Sequence, residues 1–134
     1  MTILTNAYPE SSSWSTVAAL KAIANENRLR ILGWLLDPTA HFPPQRDGDL
    51  VEDGVCVGFI TDKIGLSQPT VTSHMSILAD AGLVTHRKIK NWVFYKPDRQ
   101  RIARLRTALD LQLGAMGGKG KETTNRPDEV QTRR

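Results

Sequence analysis

The sequence predicts a mainly α fold closed by one small β-hairpin. Three observations carry this. Apolar residues recur at helical spacing in five separate segments. Stop and start signals for two helices stand side by side in Gly65-Leu66-Ser67-Gln68-Pro69. Val84 to Ile89 and Trp92 to Lys96 alternate as two strands around a two-residue turn, Lys90-Asn91, where Asn tolerates positive φ.

The first helix is expected from a cap at Ser13 or Ser15 to about Asn25, with Val17, Leu20, Ile23 and Ala24 as its apolar face. A second runs from Asn27, with Leu29, Ile31, Leu32, Leu35 and Leu36 inside and Arg28 and Arg30 outside. Asp37-Pro38 ends it, because a residue before proline disfavours the helical region. Residues 37–54 then form a long linker with three prolines, two glycines and five acids. Loops of this length are uncommon in compact domains. An ordered excursion packed by Phe42 or a partner-binding loop is the expectation; a hard-cation site from Asp47, Asp49, Glu52 and Asp53 follows no known loop spacing.

A short helix follows, with Val57, Ile60 and Ile64 on its buried face. Gly65 stops it, since glycine adopts the left-handed conformation without steric cost. Leu66 plugs the turn, Ser67 caps the next helix, and Pro69 occupies a first-turn position where its missing N–H is harmless. Val71, Met75 and Leu78 form that helix's apolar stripe, and Gly82 ends it. Gln68, Thr70, Thr72, Ser73 and His74 are left for the other faces. A last helix is expected from an Asp98 cap, with Ile102, Leu105, Leu109, Leu113 and Met116 as one stripe.

Two short helices, a tight turn and a basic hairpin in this order make a winged helix-turn-helix, which sets a helix in a DNA groove and steadies it with a wing. The outward set suits that task. Gln can bond adenine in a bidentate way, hydroxyls reach bases or phosphates, and a Thr methyl can meet the thymine methyl. Arg87, Lys88 and Lys90 cluster near the hairpin tip, within reach of phosphates. The bland alternative is a solvated helix face and a charged hairpin end.

Charge agrees with a nucleic-acid partner. Residues 1–66 hold five Lys/Arg against eight Asp/Glu, a balance of −3; residues 67–134 hold thirteen against six, a balance of +7. A phosphate backbone would attract the second half and repel much of the first. No run approaches the roughly 18 apolar residues of a membrane span, and the N-terminus lacks the basic start and apolar run of a signal peptide. One cysteine allows no intrachain disulfide. A soluble cytoplasmic protein is expected, with a flexible N-terminus over 1–13, one domain over 14–116 and a disordered tail over 117–134. No nucleophile triad, phosphate-binding glycine loop or apolar pair of carboxylates argues for an enzyme, and no cofactor is implied.

The segments Ala19 to Leu32, Ile64 to Val84 and Lys88 to Tyr95 resemble the ArsR/SmtB family of bacterial winged-helix repressors, over roughly residues 15–115. The last helix's stripe must be buried; it could pack on its own domain, but a homodimer interface of Val17, Leu20, Ile102, Leu105, Leu109, Leu113 and Met116 is expected, and the resemblance likewise implies a homodimer through helices at both ends. It implies base reading by Gln68, Thr70, Ser73 and His74, and phosphate contacts from Ser67, Arg87 and Lys88. It also implies release from a palindromic operator by a signal that the sequence does not identify. The family often senses metals, and here the chain departs from it. The Cys-Val-Cys triplet of arsenic-sensing members reads Cys56-Val57-Gly58, and the last helix offers Asp98 and Asp110 without histidine, so no metal site is expected.

Cys56 is read as a buried small hydrophobe, with a redox switch as the alternative. His41 is read as a surface or loop residue, and His86 on the wing as facing solvent or DNA. Trp14, Trp34 and Trp92 are read as packing residues, with an aromatic cage for an organic ligand as the alternative. The other functional class is a winged-helix module that binds protein or RNA without reading DNA.

Overall fold

Ser15 opens the first helix of the computed structural model, which describes residues 14–114. Its hydroxyl accepts the Ala18 N–H at 3.1 Å and starts α1, Thr16–Ile23. Asn25 does the same for α2, Glu26–Leu36, accepting the Arg28 N–H at 3.1 Å. Pro38 begins a one-turn helix, α3, Pro38–His41. After the loop come β1, Val55–Cys56, and α4, Val57–Ile64. Helix α5 spans Gln68–Asp80; β2, Val84–Ile89, and β3, Trp92–Pro97, form the wing. Helix α6, Arg99–Leu109, is capped by Asp98, which accepts the Arg101 N–H at 3.0 Å, and ends in a π-helical turn, Asp110–Gly114. The mainly helical fold with a small antiparallel sheet is as the sequence predicts. The chain divides after Ile102 into two units. Among the described residues no helix is long and apolar enough to cross a membrane.

In the first unit α2, α4 and α5 enclose Ile31, Leu35, Ile60, Val71, Met75 and Leu78, each no more than 1 % exposed, and the strands close the core with Val55 and Phe94. The sheet has a third strand that the sequence reading lacks. β1 pairs antiparallel with β3, Val55 opposite Tyr95, in the order β1-β3-β2. Two residues are too few for a period-2 signal. Gly54 makes the pairing possible: its φ is +104°, and a Cβ there would fall against the Tyr95 carbonyl.

Several expectations are corrected. α1 buries Ala19 and Ala22 rather than Val17, Leu20, Ile23 and Ala24. Small residues let its backbone approach α2 and α5 closely. Val17 is left 60 % exposed and Ala24 exposed, with Leu20 and Ile23 half-buried. On α2 the inward row is 28-31-32-35, so Arg28 takes an inner place and Leu29 points out, 55 % exposed. In the wing Ile89 pairs with Trp92 across the two-residue turn, but positive φ falls on Lys90, at 58°, instead of Asn91. Trp92 is 48 % exposed and so is no core residue. The stripe of the last helix also breaks up. Ile102 and Leu105 are buried in this chain, whereas Leu113, in the π-helical turn, is 70 % exposed. Met116, residues 1–13 and residues 117–134 lie outside the described residues.

Residues 37–54 are an ordered excursion. Phe42 is buried and meets Trp34 edge to face at 6.2 Å. Gln45 pins the loop: its carbonyl oxygen accepts the Cys56 N–H, and its amide donates to the Gly54 carbonyl at 3.0 Å. Asp49 caps a tight turn, where the Glu52 and Val51 N–H groups hold its carboxyl below the usual carboxylate range.

Candidate nucleic-acid interface

Gly65, with φ 79°, ends α4, and two residues later Ser67 caps α5 by accepting the Thr70 N–H at 3.3 Å. The same hydroxyl lies 2.9 Å from the Thr70 hydroxyl. Val71, Met75 and Leu78 anchor the inner side of α5, and Gln68, Thr70, Thr72 and Ser73 all stand exposed. The predicted outward set is therefore brought together on one fixed helix, with one exception.

The exception is His74. It is half-buried, and its Nδ1 lies 3.0 Å from a guanidinium nitrogen of Arg28 on α2. Burial, and secondarily the Arg28 charge, lower its pKa below the ordinary 6.5. A guanidinium only donates, so the neutral ring accepts at Nδ1 and carries its proton on Nε2. Arg28 also donates its Nε–H to the Ala22 carbonyl, at the end of α1. It thus ties three helices together through one side chain. Periodicity could have found this residue, since 28 falls in the inward row, but its charge argued for an outside place.

The wing brings a second surprise. Arg87 pairs with Asp53 at 3.2 Å, Lys90 with Asp47 at 3.2 Å, and Lys96 donates to the Glu52 carbonyl at 2.9 Å. The acidic loop of the first half therefore lies along the basic hairpin of the second. Charge segregation along the sequence is not preserved in space. Lys88 points to the other side of its strand from Arg87 and makes no ion pair among the described residues. Asp47, Asp53 and Arg28 are the members of this surface that sequence reasoning missed; their partners on it, Lys90, Arg87 and His74, lie 34 to 46 positions away.

Cys56 is buried at the start of α4, and His86 lies exposed on the wing with its ring 6.0 Å from Tyr95. No group of three or more metal-ligating side chains occurs among the described residues.

Residues 50–86 match the bacterial regulatory protein, arsR family. The HTH-type transcriptional regulator YbzH of Bacillus subtilis is 38 % identical over 97 residues, covering 72 % of this chain and 97 % of the relative. The transcriptional activator HlyU of Vibrio cholerae is 36 % identical over 86 residues, 64 % of this chain and 66 % of its own length. In fold alone, at 20 % identity, the chain is similar to the homodimeric winged helix-turn-helix DNA-binding domain of Mb0332 from Mycobacterium bovis. The TM-score is 0.52, with 92 % of this chain and 97 % of that one covered. A turn-and-cap geometry that fixes a polar helix face, joined to a wing and to these likenesses, places the chain in the ArsR family of DNA-binding, helix-turn-helix transcriptional regulators.

Proposed function

We propose that this regulator acts as a homodimeric repressor, in the cytoplasm, on an operator with two-fold symmetry. The observation that carries the reading is the row Gln68, Thr70, Thr72 and Ser73, exposed on a helix whose opposite side is locked into the core. Gln68 and Ser73 read base edges, and Thr70 and Thr72 meet bases or thymine methyls. Ser67, at the helix N-terminus, takes a phosphate. His74 offers its Nε2–H as a donor while Arg28 holds the ring. On the wing, Lys88 is ready for a phosphate, while Arg87 and Lys90 must leave Asp53 and Asp47 to reach one.

The dimer reading is supported by two apolar exposures that a lone chain leaves in water. One is Val17 and Ala24 beside half-buried Leu20 on α1; the other is Leu111 and Leu113 in the π turn. A two-fold dimer sets the reading helices roughly 34 Å apart, one turn of DNA.

The test is fluorescence anisotropy of the full chain on its own upstream DNA and on a scrambled duplex, at two salt concentrations. Preference for the upstream DNA, with affinity falling steeply in salt, is expected. Equal weak binding to both duplexes, at either salt, would count against specific reading by α5.

A further inference from the structure

A cavity of about 280 Å³ lies between the 37–54 loop, helix α4 and strand β3 of the wing. Phe59 and Trp92 contribute aromatic side chains, buried Phe94 closes the floor, and Cys56 adds a polarizable thiol wall. The cavity is held open from behind. Gln45 fixes the loop to β1, and the Gly48 backbone packs directly on the Phe94 ring. Arg46 and Asp62 line it with opposite charges, and the third charged lining residue, Asp47, is neutralised by Lys90. The lining thus selects for flat π surface and against net charge. At the packing density of protein interiors this volume takes about a dozen non-hydrogen atoms. Trp92 is half in water here although its indole is the largest apolar group of the wing, which is what an aromatic wall awaiting a stacked ring requires.

We propose that this cavity binds a small uncharged aromatic molecule of the size of a bicyclic phenol or an indole, and that the wing reads its occupancy. Asp47 and Trp92 make the connection. Asp47 both lines the cavity and holds the wing tip through Lys90, and Trp92 lines it and pairs with Ile89 beside the turn. A ring stacked on Trp92 acts on both. The second half of the proposal rests on the reading of this chain as a DNA-binding regulator; the first half does not.

The probe is 2-naphthol, titrated into the ¹⁵N-labelled full chain and followed by the indole N–H resonances. The Trp92 resonance, identified by its loss in Trp92→Phe, should move saturably while that of Trp34 stays still. Gly58 lines the cavity from α4, where a Cβ would meet only the Cys56 sulfur at an ordinary 3.8 Å, so Gly58→Leu fills the space without disturbing the backbone. It should weaken binding at least tenfold; Phe59→Ala serves the same end if the filled variant proves unstable. Unsaturable movement, or the same affinity in both variants, would overturn the site. Tighter binding of 2-naphthoate than of 2-naphthol would overturn the uncharged class. Saturating 2-naphthol should also change affinity for the upstream duplex at least threefold in the native chain and not in Gly58→Leu. An unchanged affinity despite bound probe would overturn the coupling to the wing and leave the site standing.

Discussion

Arg28 holds His74 across 46 positions of sequence, guanidinium to imidazole at 3.0 Å, and thereby fixes a side chain at the edge of the exposed side of α5. The contact requires a neutral ring. His74 has its pKa lowered in the folded chain, so the unfolded state binds the extra proton first. Stability from this group is therefore complete above about pH 6.5, the unfolded value, and is lost as pH falls from there through the lower folded value. The thermal midpoint of the native chain should drop more between pH 7.5 and 5.5 than that of His74→Gln, which has nothing to protonate. Equal drops would show that the ring is not held neutral.

Arg28 itself is expected to matter to folding more than a surface arginine. Its Nε–H satisfies the Ala22 carbonyl at the end of α1, and its Nη1 satisfies His74. Arg28→Met keeps the aliphatic stem and deletes both bonds, with an expected loss of about 1–3 kcal/mol in chemical denaturation. Arg30, in an exposed i,i+4 pair with Glu26, provides the control, where Arg30→Met should change stability by under about 0.5 kcal/mol.

The acidic loop should act as a brake on the wing. Asp47→Asn and Asp53→Asn release Lys90 and Arg87, both more than half exposed in their ion pairs, so little folding stability is expected to change. Affinity for DNA should rise in each, and the slope of log affinity against log salt should steepen by about one unit per freed cation. Anisotropy across a salt series measures both quantities, and an unchanged slope in the double variant would mean that these cations never reach phosphate.

Base reading and phosphate holding separate by substitution. Ser73→Ala and Gln68→Ala should each lower affinity for the preferred duplex by about 1–3 kcal/mol and leave scrambled DNA almost unaffected. Lys88→Ala should weaken binding to both duplexes alike. Competition between the two duplexes distinguishes the patterns.

Dimerisation is expected to depend on the exposed apolar residues and not on the buried ones. Val17→Asp and Leu113→Glu place charge on side chains that are 60 % and 70 % exposed, so they should shift sedimentation toward the monomer while the fold persists. Leu105→Ala, at 5 % exposure, should instead lower folding stability by about 2–5 kcal/mol. A dimer unchanged by the two charged variants would place the interface elsewhere.

The sequence by itself determined most of the elements and the exposed polar side of α5. Signals confined to one turn or one alternation survive any tertiary context: Ser67, Gly65 and Pro69 mark the turn, Val71, Met75 and Leu78 mark the inner side of α5, and Asp98 caps α6. The exposed row from Gln68 to Ser73 follows from them, because a helix with one side anchored has its other side defined. Only the tertiary structure decided which of several apolar or charged residues face inward. Ala19 and Ala22 outcompete Val17 because close backbone approach rewards small side chains; Arg28 turns in because a carbonyl and an imidazole await it there. The pairing of Asp47 and Asp53 with the wing, and the strand Val55–Cys56 beneath it, depend on contacts 34 to 43 residues apart. Those contacts leave no periodicity in the chain, since what fixes them is the complementarity of two surfaces that exist only once both have folded.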